Sequence, residues 1–213
     1  MAWNEKGPTS GRGMVIWFTG LSGAGKTTLS QSASRQLIEA GHKVEILDGD
    51  EVRENLSRGL SFCREDRDEN IRRIGFVARL LARNGVVVLV SAISPYRQSR
   101  DDVRRSVERD EVSFVEVFVR APLEVLIERD PKGLYKKDLA GEIRNFTGIS
   151  DPYEEPESPS LVVDSSAELV DHSTARLLSF LRRTAALDQA NRASSYQEHA
   201  IEPADLQSIP EGY

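Results

Sequence analysis

Cysteine is almost absent, with Cys63 standing alone among 213 residues. One thiol closes no internal disulfide, and a chain of this length buries a core without staples or structural metal. With no apolar leader in MAWNEKGPTSGRG, the expected compartment is a reducing cytoplasm. Long apolar runs are also missing. The uncharged stretch Gly85–Tyr96 has about half the ~20 residues a bilayer helix takes, so it reads as a buried strand followed by a loop, and no membrane role is expected. Nor is there an excess of positive charge: 28 Lys and Arg against 34 Asp and Glu leave a net charge of −6. The acidic bias is local, because residues 187–213 hold one basic and five acidic side chains and the preceding 186 residues sum to −2. A near-neutral body lacks the basic footprint of a nucleic-acid binder. Any polyanion it handles is small and gripped locally.

What is present is an alternation of apolar strand-length runs with helical stretches, the pattern of an α/β fold whose central, mostly parallel sheet carries helices on both faces. The spacing predicts about five strands: Met14–Thr19, Val44–Leu47, Val86–Val90, Phe114–Val119 and Leu161–Val163. Val86–Val90 (VVVLV) is apolar at every position, as a strand covered on both sides requires. Helices are predicted over Thr27–Ala40, Asp66–Asn84 and Ser166–Arg182. In the second, Ile71, Ile74, Ala78 and Leu81 share one face. Between the fourth and fifth strands, residues 129–159 are rich in Gly, Pro, Lys and Glu, and so long a connection inside a compact domain is expected to serve as a mobile lid. The expected division is one domain over 1–186 and a polar, acidic tail over 187–213; the proline-punctuated part, Asn191–Tyr213, is expected to be disordered or to order on a partner.

The densest chemical signal is Gly20-Leu21-Ser22-Gly23-Ala24-Gly25-Lys26-Thr27, followed by Thr28, between a predicted strand and the helix it opens. Glycines let backbone N–H groups turn toward phosphate oxygens, and the helix N-terminus adds the positive end of its dipole. Lys26 reaches the outer phosphates of a nucleotide and the Thr27 hydroxyl ligates Mg²⁺. A merely structural glycine turn needs neither side chain.

The next strand ends in Leu47-Asp48-Gly49-Asp50, placing two carboxylates at the carboxyl edge of the sheet, where such folds bind ligands. One of them can hold a Mg²⁺-bound water or accept the proton of an attacking hydroxyl. The alternative is an Asp-Gly turn that caps the following helix. Strand three ends without an acidic residue, which makes Asp50 the better candidate and a small-molecule kinase a better fit than a motor ATPase. Downstream arginines divide similarly: Arg72 and Arg73 have acidic partners four residues before them on a helix, whereas Arg53 and Arg67 lie nearer the sheet edge and suit an anionic acceptor.

Six stretches, GLSGAGKTT, DGDEVR, SFCREDRDENIRR, VSAISPYR, RDPKGLYKK and NFTGISDPYE, together resemble the adenylylsulfate kinase family, over about Trp3 to Leu181. The resemblance implies a three-layer P-loop kinase fold, and phosphorylation of adenosine 5′-phosphosulfate (APS) by Mg-ATP. Mapped residue by residue, it puts ATP on Gly20–Thr28 with Arg129 against the adenine, and gives Asp50 the metal and the attacking hydroxyl. It puts Asp48, Arg53, Arg67 and Asn70 on the acceptor's polar groups and Phe62 and Phe146 on its adenine. Ile93, Ser94 and Pro95 line the acceptor site, and the lid segment brings Lys132, Gly133 and Leu134. It further implies a homodimer and a possible ATP sulfurylase partner.

Ser94 matches a serine assigned in the family as a phosphoserine intermediate. No histidine or other base accompanies it locally, so direct in-line transfer with Ser94 binding the acceptor is the simpler reading. The chain departs from the family where Ser61 replaces a flexible glycine before Phe62, which bears on how that ring reaches the adenine; Cys63 follows beside it. The order Gly148-Ile149-Ser150-Asp151-Pro152 reads as a swap within one turn. Two other functions stay open at this stage: a kinase of another small metabolite, and a silent nucleotide-binding regulator. Intact Lys26, Thr27 and Asp50 disfavour the second.

Overall fold

The computed structural model describes residues 13–143 and 145–198, with side chains described as far as 184. The chain divides into two units, Met1–Ala175 and Arg176–Tyr213. In the first, β1 (Met14–Thr19) leads through the phosphate loop into α1 (Lys26–Glu39), followed by β2 (Val44–Asp48), α2 (Gly49–Asn55) and α3 (Arg64–Ala82). Then come β3 (Val87–Ser91), α4 (Arg97–Glu108), β4 (Ser113–Arg120), α5 (Leu123–Arg129), α6 (Leu134–Leu139) and β5 (Leu161–Asp164). The last helix, α7 (Val170–Glu198), begins in the first unit and supplies the described part of the second.

Every strand pairing is parallel and the order is β2-β3-β1-β4-β5. The central strand β1 is buried at every position after Met14 because helices cover both faces. On one face Val15, Trp17, Val88, Val90 and Phe114 pack with Ile71, Ile74, Ala78 and Ala82 of α3 and with Val103 and Val107 of α4; the predicted α3 stripe is there, with Leu81 at its margin. Gly75 permits the close approach of these two helices, since a Cβ there would come within 2.5 Å of a Val103 methyl. The register aligns Asp48 with Ser91 and Ser91 with Phe18. The ends of β2, β3 and β1 therefore form one ledge, at the point where the neighbours of β1 diverge in chain order and ligands of such sheets bind.

Four helices were not expected. In α4, RQSRDDVRRSVE, the two valines are the whole apolar signal. The buried remainder is Arg100, whose guanidinium donates to Glu116 on β4 at 2.9 Å, while Arg104 donates to the same carboxylate at 2.9 Å. The helices α2 and α5 have seven residues each, and α6 six, too short for a periodic pattern. The presence of α6 also means that residues 129–159 are not a continuous loop. The last helix runs past its predicted end at Arg182, so residues 187–198, expected as tail, are helical, among them 191–198, expected to be disordered or to order on a partner. No glycine or proline interrupts the sequence from Val170 to Glu202, and its alanines, arginines and glutamines are good helix formers. Residues 199–213 and the start of the family resemblance at Trp3 lie outside the described residues.

Candidate active site

The phosphate loop is built by backbone constraints that glycine meets. Gly20 has φ +147°, and a Cβ on it would sit 2.0 Å from the Val119 carbonyl oxygen of β4. Gly25 caps α1 in the left-handed region at φ +95°. Lys26 folds back over this turn and donates from Nζ to the carbonyls of Gly20 at 2.9 Å and Leu21 at 2.8 Å. Only 9% of the residue is exposed, and burial, reinforced by nearby Lys132, pulls its ammonium down to about 8 although Asp48 and Asp50 pull the other way. A nucleotide phosphate would replace the two carbonyls as its partner.

Asp48 and Asp50 take different jobs. Asp48 is the N-cap of α2: one carboxylate oxygen accepts from the Asp50 backbone N–H at 3.0 Å, and the other accepts from the Thr27 hydroxyl at 2.7 Å. The capping alternative therefore describes Asp48, which is tied to the phosphate loop and also lines the cleft. Asp50, with 71% of its side chain exposed, stands in the cleft and meets the ammonium of Lys132. Thr27, Asp48 and Asp50 offer hard oxygen donors of the kind Mg²⁺ takes. Among the described residues no cluster of three or more His, Cys, Asp or Glu stands ready to cage a metal, and an ion carried mainly by nucleotide phosphates needs none.

The acceptor half of the same cleft is assembled from α3 and the turn after α6. Phe62 is 56% exposed, under the Arg53 guanidinium at 4.4 Å from its ring centroid. Arg53 also donates to the carbonyl of Ser61 at 3.0 Å, and the Ser61 hydroxyl accepts from the Cys63 N–H at 3.2 Å. The serine thus ties down the backbone just before and after Phe62. Arg67 is buried and donates to the Phe62 carbonyl at 2.8 Å, to the Thr147 hydroxyl at 2.5 Å and to the Asn145 carbonyl. One guanidinium therefore grips the backbone beside both aromatic residues, Phe62 and Phe146. Asn70 is buried in the cleft wall with its Oδ1 lacking a hydrogen-bond partner, an atom that a ligand would satisfy. Phe146 is held by a turn in which its own carbonyl accepts from Ile149, Ser150 and Asp151; residues 148–152 do form the single turn expected of them.

These features share one cleft of about 980 Å³, lined from Ser22 and Lys26 through Asp50, Arg53, Phe62 and Asn70 to Ile93, Pro95, Lys132, Leu134 and Phe146. Gly23, Gly25, Thr27 and Thr28 line it too, whereas Gly20, Leu21, Ala24 and Gly133 do not face it. Arg129 also stands outside the lining, donating to the hydroxyl of Ser165 at 3.0 Å and its carbonyl at 2.7 Å; Ser165 in turn lies beside Gly25 of the phosphate loop. Ser94 takes φ +43°, and its hydroxyl, in a residue 1% exposed, accepts from the Trp17 indole at 3.0 Å and bonds Thr19 at 3.0 Å. Ser94 lines the cleft between Ile93 and Pro95, with its hydroxyl engaged by Trp17 and Thr19. Sequence reasoning missed Asn145, Thr147, Ile143, Pro131 and Glu54 in the lining, and Tyr135 behind it; Tyr135 sits inside the stretch RDPKGLYKK and Thr147 inside NFTGISDPYE, which were the available signals.

The family model described as Adenylylsulphate kinase matches residues 12–164. The chain is 57% identical over 181 residues to an adenylyl-sulfate kinase of Myxococcus xanthus, covering 85% of this chain and 97% of that one. It is 60% identical over 174 residues to an adenylyl-sulfate kinase of Chloroflexus aurantiacus, covering 80% and 91%. Among solved structures, that of the Mycobacterium tuberculosis APS kinase CysC in complex with AMPPNP and APS superposes with a TM-score of 0.79 at 42% identity, over 81% of this chain and 99% of that one. With the family model over most of the chain, relatives 57% and 60% identical, and a parallel sheet carrying a phosphate loop, the chain belongs to the adenylylsulfate kinase family.

Proposed function

We propose that this protein transfers the γ-phosphoryl group of Mg-ATP to the 3′-hydroxyl of adenosine 5′-phosphosulfate, yielding ADP and 3′-phospho-APS. One observation carries the reading: Asp50 lines a single cleft together with phosphate-loop residues and with Phe62, Arg67, Asn70 and Phe146. A donor nucleotide and a flat, anionic acceptor meet there with a proton acceptor between them.

The 3′-oxygen attacks phosphorus as the bond to the bridging oxygen of ADP breaks, and ADP leaves with that electron pair. Asp50 accepts the hydroxyl proton. Loop N–H groups and Lys26 hold charge on the nucleotide phosphates, and Lys132 moves from Asp50 toward the transferring group. Thr27 and Asp50, the latter through water, would hold Mg²⁺, which when bound neutralises charge spread over the phosphate oxygens. Arg129 sits beside the donor's base. Arg53, Arg67 and Asn70 bind the acceptor's phosphosulfate and ribose, and the two phenylalanines stack on its adenine. Segment 129–159 acts as a lid that excludes water, which would otherwise divert the phosphoryl group. Ser94 shapes the acceptor loop without becoming phosphorylated. Homodimer formation and association with an ATP sulfurylase belong to the same reading, through the family resemblance, as does a cytoplasmic location.

The test is to incubate the protein with Mg-ATP and APS and to measure the product's mass and its sensitivity to a 3′-nucleotidase. A product heavier by one phosphoryl group that the 3′-nucleotidase returns to APS supports the reading, and Asp50→Asn should reduce its formation by about 10²-fold or more. Unchanged APS beside intact ATP contradicts it.

A further inference from the structure

We infer that Tyr135 is a positioning residue that sets the acceptor's aromatic wall against the phosphate loop, so that a nucleotide on the loop prepares the acceptor site. The inference rests on the proposed function for the identity of the two substrates. Tyr135 lies in the first turn of α6, 1% exposed, behind the cleft wall. Its hydroxyl donates to the Ser22 carbonyl of the phosphate loop at 3.0 Å. Its ring meets Phe146 edge to face, with centroids 4.9 Å apart and planes at 86°. Ser22 and Phe146 both line the cleft, and Tyr135, outside the lining, contacts both.

A second contact joins the same two parts. Gly148, in the turn that carries Phe146, has φ +96°, and a Cβ on it would come within 2.7 Å of a Leu21 methyl. The phosphate loop's leucine therefore rests directly on the backbone of the aromatic turn. Tyr135 is itself held in place, because the Asp130 carboxylate accepts from the backbone N–H groups of Tyr135 at 3.2 Å and Lys136 at 3.0 Å. Burial, together with the charge of Asp130, pushes its phenol up to about 12, so it stays a hydrogen-bond donor throughout the neutral range. A phenylalanine would fill the same space and keep the edge contact; what the hydroxyl adds is the tie to Ser22. When phosphate oxygens draw the loop's N–H groups inward, that tie transmits the shift to Phe146.

The experiment titrates APS into wild-type protein and Tyr135→Phe, each with and without a non-hydrolysable ATP analogue and Mg²⁺, alongside steady-state kinetics and thermal melting. In the wild type the analogue should tighten APS binding severalfold. In Tyr135→Phe most of that factor should vanish and the KM for APS should rise about fivefold, the worth of one hydrogen bond; by reciprocity the KM for ATP at saturating APS should rise by a similar factor, while analogue binding without APS stays within about twofold of wild type. Tyr135→Leu, which also removes the ring edge under Phe146, should raise the APS KM further; should it not fold, Tyr135→Phe decides alone. A wild-type protein that turns over APS without any tightening by the analogue overturns the inference. So does a Tyr135→Phe protein that keeps the wild-type APS constants, whatever its melting temperature. Absence of APS turnover in the wild type instead defeats the functional reading, before any variant is compared.

Discussion

The ammonium of Lys132, just past the end of α5, lies against the carboxylate of Asp50 in the first turn of α2. In the proposed mechanism the contact pairs the cation assigned to the transferring phosphoryl group with the carboxylate assigned to the acceptor's proton. Both side chains are at least half exposed, so solvent screens the pair and it contributes little to stability. On the proposed mechanism its significance is functional, because it holds Lys132 at the cleft beside Asp50. Lys132→Ala should leave the melting temperature nearly unchanged and lower kcat by about 10- to 100-fold. A variant with normal kcat would remove Lys132 from the mechanism.

Lys26 provides a prediction with a pH signature. Its ammonium is held near 8 in the folded chain against 10.5 for a free lysine. Between those values the unfolded chain binds the proton and the folded chain does not, so this group makes the ligand-free protein more stable as pH rises from about 8 to 10.5. Nucleotide binding follows the opposite course, because deprotonation removes the charge that meets phosphate. kcat/KM for ATP should fall above pH 8, whereas kcat, reporting the complex in which phosphate restores the proton, should fall at higher pH. Lys26→Ala should lose about 10³-fold or more in transfer with its fold intact, since removing a desolvated ammonium relieves a burial cost. Pre-steady-state and steady-state rates across pH 6.5–10 check both statements.

Phe62 is more than half exposed, so Phe62→Ala should barely move the melting temperature. It should raise the KM for APS about tenfold or more, on the scale of one base stacked on an aromatic ring, with the KM for ATP nearly constant. Equal changes in both constants would place the ring outside the acceptor subsite.

Ser94→Ala separates a covalent role from a structural one. Losing the bond accepted from the Trp17 indole should lower stability by about 1–2 kcal/mol. Transfer should persist within about tenfold of wild type, and acid quenching should trap no phosphoprotein in either form. Complete loss of transfer by a folded variant, with phosphoserine recovered from the wild type, would restore the intermediate.

The parts of this fold that the sequence announces are those in which local chemistry and global burial agree. The strand MVIWFT is bounded correctly at both ends because its apolar run stops where the glycine loop begins. The α3 stripe is legible because Ile71, Ile74 and Ala78 bury one helical face. By contrast, α4 hides its inward face behind an arginine: Arg100 is buried through ion pairing with Glu116 on β4, and no local pattern reveals a partner sixteen residues away. The phosphate loop was legible as chemistry, since its glycines, lysine and threonine have few other uses together. Of the candidate acceptor residues, Arg53 and Arg67 were readable from their place near the sheet edge, whereas Phe62, Asn70 and Phe146 entered only through family resemblance, because residues so far apart in sequence carry no spacing rule. The division of labour between Asp48 and Asp50 became visible only with the α2 cap in place. Tyr135 reads locally as a core aromatic, and its hydroxyl gains meaning from Ser22, 113 residues away.

The measurement that bears most directly on the central claim is the rate of ADP release from Mg-ATP in a coupled assay, run with APS, with adenosine monophosphate and with no acceptor. An acceptor site built from Phe62, Phe146, Arg53, Arg67 and Asn70 predicts rapid release with APS, at least about 100-fold slower release with the unsulfated nucleotide, and a background close to zero without acceptor. Release at the same rate in all three conditions, or none with APS despite tight ATP binding, would contradict the assignment of this cleft to phosphoryl transfer onto APS.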